Sequence, residues 1–241
     1  MINNKKIVIV LPAYNAQATL KETFKKIPDG FADEIILVDD FSTDDTVDIS
    51  KSLGIKTICH NKNLGYGANQ KTCYNEALKA GADVIIMLHP DGQYKPEISC
   101  ELANKVVNEK YDCVLASRFL NNSAKFSKMP KYKYFANRFL TEFQNLIFNK
   151  KLSEYHTGYR AFSRYTLENI DYNKYSNNFV FDNQILADII ANNFKIGEIA
   201  CPCIYENVSS SINLKDSIIY GFGVLGVSIK YMLKHFKTPH K

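Results

Sequence analysis

The sequence has 241 residues, of which 46% are hydrophobic and 23% are charged. This composition excludes an intrinsically disordered chain, and the length is enough to bury a large core. The formal net charge of +5, from 30 basic and 25 acidic residues, fits an anionic substrate or a membrane surface. No dense stripe of Arg and Lys with interleaved aromatic residues occurs, so we expect no nucleic-acid partner.

Short apolar runs alternate with helical patterns through the first half of the chain. The runs predict strands at 7–11, 34–38, 55–59, 83–88 and 112–116. Apolar residues at helical spacing predict helices between them, at 20–27, 47–53, 65–80 and 96–107. Continuous apolar strands that alternate with helices are typical of a parallel sheet covered on both faces.

The second half is less regular. Its patterns predict helices at 132–149 and 182–192, a strand edge or polar loop at 155–163, and a strand at 196–204. We find no linker and no internal repeat, so we expect one domain over residues 1–212.

Residues 213–241 are predicted to form an amphipathic helix followed by a basic tail. The apolar run at 217–233 is shorter than the roughly 20 residues that cross a bilayer. One interpretation packs this helix on the domain, and the other lays it on an anionic membrane face.

The segment His-Pro-Asp-Gly-Gln at 89–93 directly follows the predicted strand at 83–88. Asp91 and Gln93 supply a carboxylate and an amide oxygen that can share one hard cation. Ligands of open α/β sheets bind at the carboxyl ends of the strands. We therefore predict a metal that holds a phosphorylated substrate.

Two further strand ends carry polar or aromatic groups at the same predicted edge. The first is followed by Tyr14, which can stack on a base. The second ends in Asp39 and Asp40, and an aspartate can accept a hydrogen bond from a ring N–H of uracil or guanine. Gly65 and Gly67 predict a tight turn that lets a helix start close to a nucleotide.

Four segments, in this order, resemble the signature of family 2 glycosyltransferases. They are Pro12-Ala13-Tyr14-Asn15, Val38-Asp39-Asp40-x-Ser42-x-Asp44-x-Thr46, Asn63-x-Gly65-x-Gly67 and Asp91-Gly92-Gln93. Ser117-Arg118, after the fifth strand, is similar to the dolichyl- or polyprenyl-phosphate sugar synthase branch. The resemblance covers about residues 5–210. It implies the GT-A fold, a Rossmann-like, mostly parallel sheet with helices on both faces.

The resemblance also implies roles for individual residues. Contacts to the donor are expected from Pro12, Ala13, Tyr14, Asn15, Val38, Asp40, His89, Pro90, Lys133 and Arg160. Ligands of Mg²⁺ or Mn²⁺ are expected from Asp91, Gln93 and His89. His89 stands where the family has the first acid of its Asp-x-Asp motif, and contact with the ribose is the alternative for it. Arg118, Lys133 and Arg160 are expected to contact the diphosphate or an acceptor phosphate.

The acceptor side is expected near residues 179–184, which resemble the family's Phe-Asp-x-Glu stretch. Gln184 replaces the usual glutamate, which leaves Asp182 as the candidate general base. A phosphate acceptor is already anionic and needs no base, so the glutamine favours such an acceptor. Asp182 could instead cap the following helix.

The chain is therefore predicted to be a metal-dependent, inverting glycosyltransferase of cell envelope polysaccharide biosynthesis. It would move a sugar from a UDP- or GDP-linked donor to a polyprenyl-phosphate or lipid-linked glycan, with Asp91, Arg118 and Asp182 as catalytic residues. The alternatives are a sugar-nucleotide-binding module without turnover and a nucleotidyltransferase. The latter needs a Gly-rich loop with a basic residue after the first strand, where this chain has residues 12–15.

The cellular location is expected to be the cytoplasm, with peripheral attachment to the inner membrane face as an extension. The six cysteines form no CxxC pair, which favours a reducing compartment. No signal peptide is expected, because residues 1–6 lead straight into the first predicted strand.

Overall fold

Seven strands form one sheet in the computed structural model, which describes residues 2–121, 129–202 and 214–236. The strands are β1 (Ile7–Ala13), β2 (Glu34–Asp39), β3 (Lys56–Cys59), β4 (Val84–Met87), β5 (Cys113–Ser117), β6 (Arg160–Ser163) and β7 (Ile196–Ala200). Their order across the sheet is β3-β2-β1-β4-β6-β5-β7. All neighbours are parallel except β6, which runs antiparallel to both β4 and β5. The predicted mostly parallel α/β sheet is confirmed.

Eight α-helices surround this sheet in the described part of the chain. They are α1 (Leu20–Lys25), α2 (Thr46–Ser52), α3 (Tyr66–Lys79), α4 (Ser99–Val107), α5 (Lys131–Phe148), α6 (Arg164–Glu168), α7 (Phe181–Ala191) and α8 (Leu214–Phe236). Short 3₁₀ turns at Pro96–Ile98 and Tyr172–Lys174 precede α4 and α7. The helices predicted from apolar spacing are present, with ends shifted by a few residues.

The central strand β1 shows why both faces of the sheet are covered. All seven of its residues are buried. Val8 and Val10 point into one hydrophobic core with residues of α3 and α7, whereas Ile7 and Ile9 point into another with residues of α4. A strand alternates its side chains between faces, so a continuous apolar strand needs helices on both.

Strand β6 corrects the expectation of a strand edge or loop at 155–163. It lies in the sheet interior, with Arg160 opposite Met87 on one side and Leu115 on the other. Only Ala161 and Phe162 are apolar in this four-residue strand, so the sequence offers too short a run to mark it as buried. In this position it supplies the hydrogen-bonding partner of both β4 and β5.

The C-terminal helix α8 packs against α5 and α7. The Tyr231 ring meets the Phe148 ring of α5 edge to face, with centroids 4.6 Å apart. Among residues 2–121, 129–202 and 214–236, no helix combines the length and apolar character that a bilayer crossing demands. The predicted boundary at 212–213 and residues 237–241 of the basic tail lie outside the described residues.

Two helical glycines should respond in opposite ways to alanine. A Cβ on Gly67 in α3 would lie 2.5 Å from the carbonyl oxygen of Ser176 and 2.8 Å from Cβ of Phe181. We expect Gly67→Ala to lower the free energy of unfolding by about 1–3 kcal/mol, because backbone and core must shift. Urea unfolding followed by circular dichroism measures this change.

Gly226 in α8 is the matched control. A Cβ there meets nothing within 4 Å. Gly226→Ala should therefore leave the stability unchanged or raise it by up to about 1 kcal/mol, through the better helix propensity of alanine. Equal destabilisation by both substitutions would contradict the close contact at Gly67.

Candidate active site

A cavity of about 580 Å³ opens at the carboxyl edge of the sheet. The predicted donor residues in its wall are Pro12, Ala13, Tyr14, Asn15, Asp40, His89, Pro90 and Asp91. They meet there because β1, β2 and β4 are parallel and end at the same edge. The other predicted site residues, which do not line the cavity, are Val38, Gln93, Arg118, Lys133, Arg160 and Asp182.

Asn15 joins the loops that follow β1 and β2. Its backbone N–H donates to the hydroxyl of Ser42 at 2.8 Å, and its side-chain oxygen accepts from the N–H of Thr43 at 2.9 Å. Its φ of 50° is left-handed, a conformation that asparagine tolerates better than most residues. The neighbouring Tyr14 remains 52% exposed, so its ring is available at the cavity mouth.

Asp40 organises the loop that leads into α3. Its carboxylate accepts from the backbone N–H groups of Leu64 and Gly65, both at 2.9 Å, and contacts Nδ1 of His60 at 2.7 Å. Gly65 has a φ of +96°, and a Cβ there would lie 2.7 Å from the carbonyl oxygen of Asn177. Glycine is thus required beside Asp40, as the predicted tight turn implied.

Asn69 holds two strand ends together, and sequence reasoning missed it. Its amide nitrogen donates to the carbonyl oxygens of Ala13 at 3.2 Å and Val38 at 3.1 Å. Val38 itself is fully buried, so its contribution to the site is this carbonyl. Asn69 is buried in α3. A polar residue on the inner face of a predicted helix was the sequence signal that could have identified it.

His89 lies partly buried in the cavity wall. Both of its ring nitrogens are buried, and neither has a hydrogen-bond partner among the described residues. The ring stacks on that of Tyr66 at 5.4 Å, and Gly158 leaves room for it, since a Cβ would lie 2.7 Å from Cε1. Burial lowers the pKa of His89 to about 4, so the imidazole is neutral near pH 7. It offers one donor and one acceptor to a ligand.

Asp91 is the carboxylate next to His89 in the cavity. Burial raises the pKa of Asp91 to about 6, because few groups of the protein compensate its charge. One oxygen accepts from the backbone N–H of Gln93 at 3.0 Å. A carboxylate in this state favours a bound cation.

The protein side chains at this place fit the coordination of a divalent ion only in part. No group of three His, Cys, Asp or Glu side chains converges on one point within the described ranges. Asp91 and the unpaired nitrogens of His89 could supply protein ligands, and substrate phosphates would have to complete the shell. Mg²⁺ is often held in this way, by one or two carboxylates plus phosphate oxygens.

Arg118 is positioned by a buried glutamate. Its Nε and backbone N–H donate to the two oxygens of Glu154, each at 2.8 Å, and Nη2 donates to the carbonyl oxygen of His156 at 3.1 Å. Asn137 donates to the same carboxylate at 2.9 Å. Burial would raise the pKa of Glu154, but the charge of Arg118 and the hydrogen bonds from Arg118 and Asn137 together outweigh burial, and the pKa is lowered.

Arg118 also marks a positive region that extends beyond Glu154. Burial raises the pKa of Asp91, and the charge of Arg118 acts in the opposite direction on this pKa. Burial, and then the charge of Arg118, lowers the pKa of Lys133. Arg118 therefore stands near both the predicted metal-binding carboxylate and the first turn of α5.

Arg160, which was predicted to contact a phosphate, bonds to the protein backbone in this structure. Its side chain is fully buried, and its Nε, Nη1 and Nη2 donate to the carbonyl oxygens of Thr157, Asp182 and Tyr155 at 2.8, 2.7 and 3.0 Å. Because β6 lies inside the sheet, the guanidinium is enclosed by the protein and donates its hydrogen bonds to backbone carbonyls. Burial would lower the pKa of Arg160, but Asp182 together with Cys113, Tyr74 and Tyr66 outweighs burial, and the pKa is raised.

Asp182 lies in the first turn of α7 and is almost fully buried. Its carboxylate accepts from the hydroxyl of Tyr66 at 2.7 Å and from the amide of Gln70 at 3.1 Å. The helix begins after Val180 without a side-chain cap, so the capping interpretation of Asp182 is wrong. Gln184 accepts from the N–H of Ser176 at 2.8 Å and so supports the preceding loop.

Helix α8 reaches the site, which no local sequence signal indicated. Asp216 lines the cavity, and the hydroxyl of Tyr220 lies 2.8 Å from Nδ1 of His156. Burial lowers the pKa of His156 to about 3, so this ring is neutral. Glu154, which the sequence analysis did not single out, lies two residues before His156 in the chain.

Comparisons with known proteins identify the family of this chain. The family model described as Glycosyl transferase family 2 matches residues 8–171. The chain is 26% identical over 223 residues to the UDP-N-acetylglucosamine--dolichyl-phosphate N-acetylglucosaminyltransferase of Methanococcus voltae, covering 86% of this chain and 88% of that protein. It is 28% identical to the dolichol-phosphate mannosyltransferase of Pyrococcus furiosus, over 53% of this chain and 37% of that protein.

Solved structures show the same fold. The crystal structure of glucosyl-3-phosphoglycerate synthase from Mycobacterium tuberculosis, in complex with Mn²⁺, UDP and glucosyl-3-phosphoglycerate, aligns with a TM-score of 0.72. The alignment covers 99% of this chain and 82% of that chain at 16% identity. At this identity the likeness concerns the fold, which is GT-A. With the family match over most of its length, this chain belongs to glycosyltransferase family 2 and is a glycosyltransferase.

Proposed function

We propose that this glycosyltransferase moves a sugar from a UDP-linked donor to a polyprenyl phosphate, with a divalent cation bound at Asp91. The observation that carries the proposal is the under-compensated carboxylate of Asp91 beside the unpaired nitrogens of His89, in one cavity. The names of the two relatives, which specify dolichyl-phosphate and dolichol-phosphate acceptors, support the lipid phosphate.

The base is proposed to lie between Tyr14 and Asp40. A carboxylate has about four acceptor positions. In Asp40, three of these positions are occupied by hydrogen bonds. One position is left, which suits the single ring N–H of uracil better than the paired N–H groups of guanine. The relative from Methanococcus voltae is named for a UDP-linked donor, which supports the same choice.

The diphosphate is proposed to lie over residues 89–93. Asp91 would hold Mg²⁺ or Mn²⁺, with His89 as a further ligand or as a hydrogen-bond partner of the ribose, and Gln93 close by. When bound, the cation supplies positive charge to the leaving diphosphate. Arg118, held in place by Glu154, adds a fixed positive charge on the same side.

The acceptor phosphate is proposed to lie near Arg118 and Lys133. Its oxygen would attack the anomeric carbon from the face opposite the diphosphate, which inverts that carbon. A phosphate oxygen is already anionic, so no proton has to be removed. This agrees with Asp182, whose carboxylate is engaged by Tyr66 and Gln70. Asp182 acts as a base only if the acceptor is instead a glycan hydroxyl.

The test is a transfer assay with UDP-N-acetylglucosamine and undecaprenyl phosphate, read by mass spectrometry. We expect a sugar-phosphate lipid with Mn²⁺ and at least about 100-fold less product with EDTA. Undecaprenol, which has the same chain without the phosphate, is the matched control and should give no product. Donor binding without product would favour a binding module, and pyrophosphate release from UTP and sugar 1-phosphate would favour a nucleotidyltransferase.

Asp91→Asn should reduce this transfer by at least about 100-fold, since it removes the proposed carboxylate ligand. The unfolding temperature without ligand should not fall, because asparagine removes a buried charge. The stabilisation of the protein by UDP with Mn²⁺, measured by thermal shift, should be lost.

Glu97→Gln is the control for Asp91→Asn. Glu97 lies on the same connection between β4 and α4 but is exposed and outside the cavity. The Glu97→Gln variant should transfer sugar at the same rate as the unaltered protein. Full activity of Asp91→Asn would remove this carboxylate from the site.

Asp40→Asn should weaken UDP binding by about 1–3 kcal/mol, as for a lost hydrogen bond to a charged acceptor. The affinity for CDP should change much less, because N3 of cytosine carries no hydrogen to donate. Isothermal titration of both nucleotides gives the comparison. A parallel loss for UDP and CDP would assign Asp40 to loop support alone.

A further inference from the structure

The outward face of α8 is apolar. Its exposed side chains recur every three to four residues, and the large apolar ones are Ile218, Ile219, Phe222, Ile229 and Leu233, which are 53%, 60%, 72%, 44% and 54% exposed. On the opposite face, Val224 and Ser228 are fully buried against the domain. A helix on a protein surface normally presents polar residues outward, so an apolar outward stripe indicates that something else covers it.

Helix α5, against which α8 packs, has a second stripe of this kind. Phe135, Phe139 and Leu146 are 68%, 66% and 79% exposed at helical spacing, while the inward residues of the same helix are buried. Two adjoining helices thus share a property that neither needs for folding. We call their exposed stripes together the docking surface.

The charges on the docking surface are positive. Lys131 lies at the start of the α5 stripe, and Lys215 and Lys230 lie on the α8 stripe, all exposed. Among the described residues of the two helices, the exposed acid is Glu142, which is ion-paired with Arg138. The sequence then continues with Lys234, Lys237 and Lys241 and contains no acidic residue after Asp216.

The docking surface lies one helix away from the active site. Asp216 and Tyr220 of α8 turn inward, to the cavity wall and to His156, while Ile218, Ile219 and Phe222 between and after them turn outward. A helix with its side chains is about 10 Å thick. A surface that covers the outward stripe is therefore about that far from the cavity.

We infer that the docking surface lies on an anionic lipid bilayer and brings the cavity to the level of the headgroup phosphates. Apolar side chains enter the acyl boundary, and the lysines contact anionic headgroups. A second copy of the chain fits less well, because a two-fold contact would bring the same lysines towards each other. That the bilayer supplies the acceptor rests on the proposed function. The contact with the bilayer does not.

The experiment is flotation of the full chain with vesicles of phosphatidylglycerol and phosphatidylcholine, compared with phosphatidylcholine alone. We expect binding to the anionic vesicles, reduced by raised salt. Phe222→Glu should weaken it at least about tenfold, because the loss of one buried phenylalanine is of that size. Lys215→Glu with Lys230→Glu should remove the preference for anionic lipid.

Tyr165→Glu is the matched control for Phe222→Glu. Tyr165 is 62% exposed on α6, whose first residue Arg164 bonds to Asp83 before β4, at the opposite edge of the sheet. It should float as the unaltered chain does. Circular dichroism and the UDP-induced thermal shift are measured for every variant, so that misfolding or a failed donor site is recognised separately.

Three outcomes would overturn the inference. They are no binding to anionic vesicles, equal loss with Tyr165→Glu, and a dimer in light scattering that Phe222→Glu dissociates while vesicles remain unbound. The last would assign the docking surface to a contact between copies. Lack of sugar transfer alongside normal vesicle binding would instead count against the proposed function.

Discussion

The buried guanidinium of Arg160 is the interaction on which the catalytic half of the fold depends. From the interior strand β6 it binds the backbone carbonyls of Tyr155, Thr157 and Asp182. It thereby joins the segment that carries Glu154 and His156 to the first turn of α7. A buried cation without such partners would be very costly, so these three carbonyls must stay where they are. The segment from Tyr155 to Thr157 is therefore fixed relative to the start of α7.

The other buried charges near the cavity are also satisfied from within the protein. Asp40 is bonded by loop N–H groups, Glu154 by Arg118, and Asp182 by two side-chain donors. Against this background His89 and Asp91 differ, because the described residues leave both ring nitrogens and most of the carboxylate without compensation. A rigid wall with two under-satisfied groups is what a preorganised ligand site requires.

Helix α8 connects this chemistry to the surface of the molecule. It packs on α5 and α7, lines the cavity through Asp216 and contacts His156 through Tyr220. Of the two interpretations that the sequence left open for this helix, packing on the domain is the one that these contacts match. The proposed reaction, which combines a water-soluble nucleotide sugar with a lipid phosphate, would need one side of the enzyme to face water and another to face the membrane. The position of α8 between the cavity and an apolar outer stripe meets that need.

The sequence by itself determined the sheet, its covering helices and the edge at which Tyr14, Asp40, His89 and Asp91 meet. The reason is that apolar periodicity is local and parallel strands all end on one side. Only the tertiary structure decided the interior position of β6, the structural role of Arg160 and the arrival of Asp216 in the cavity. These depend on contacts between segments far apart in the chain. Whether an arginine binds a ligand or stabilises the backbone depends on the groups that surround it in the fold. The apolar pattern of α8 likewise could not tell its packed face from its outward one, because both faces are apolar.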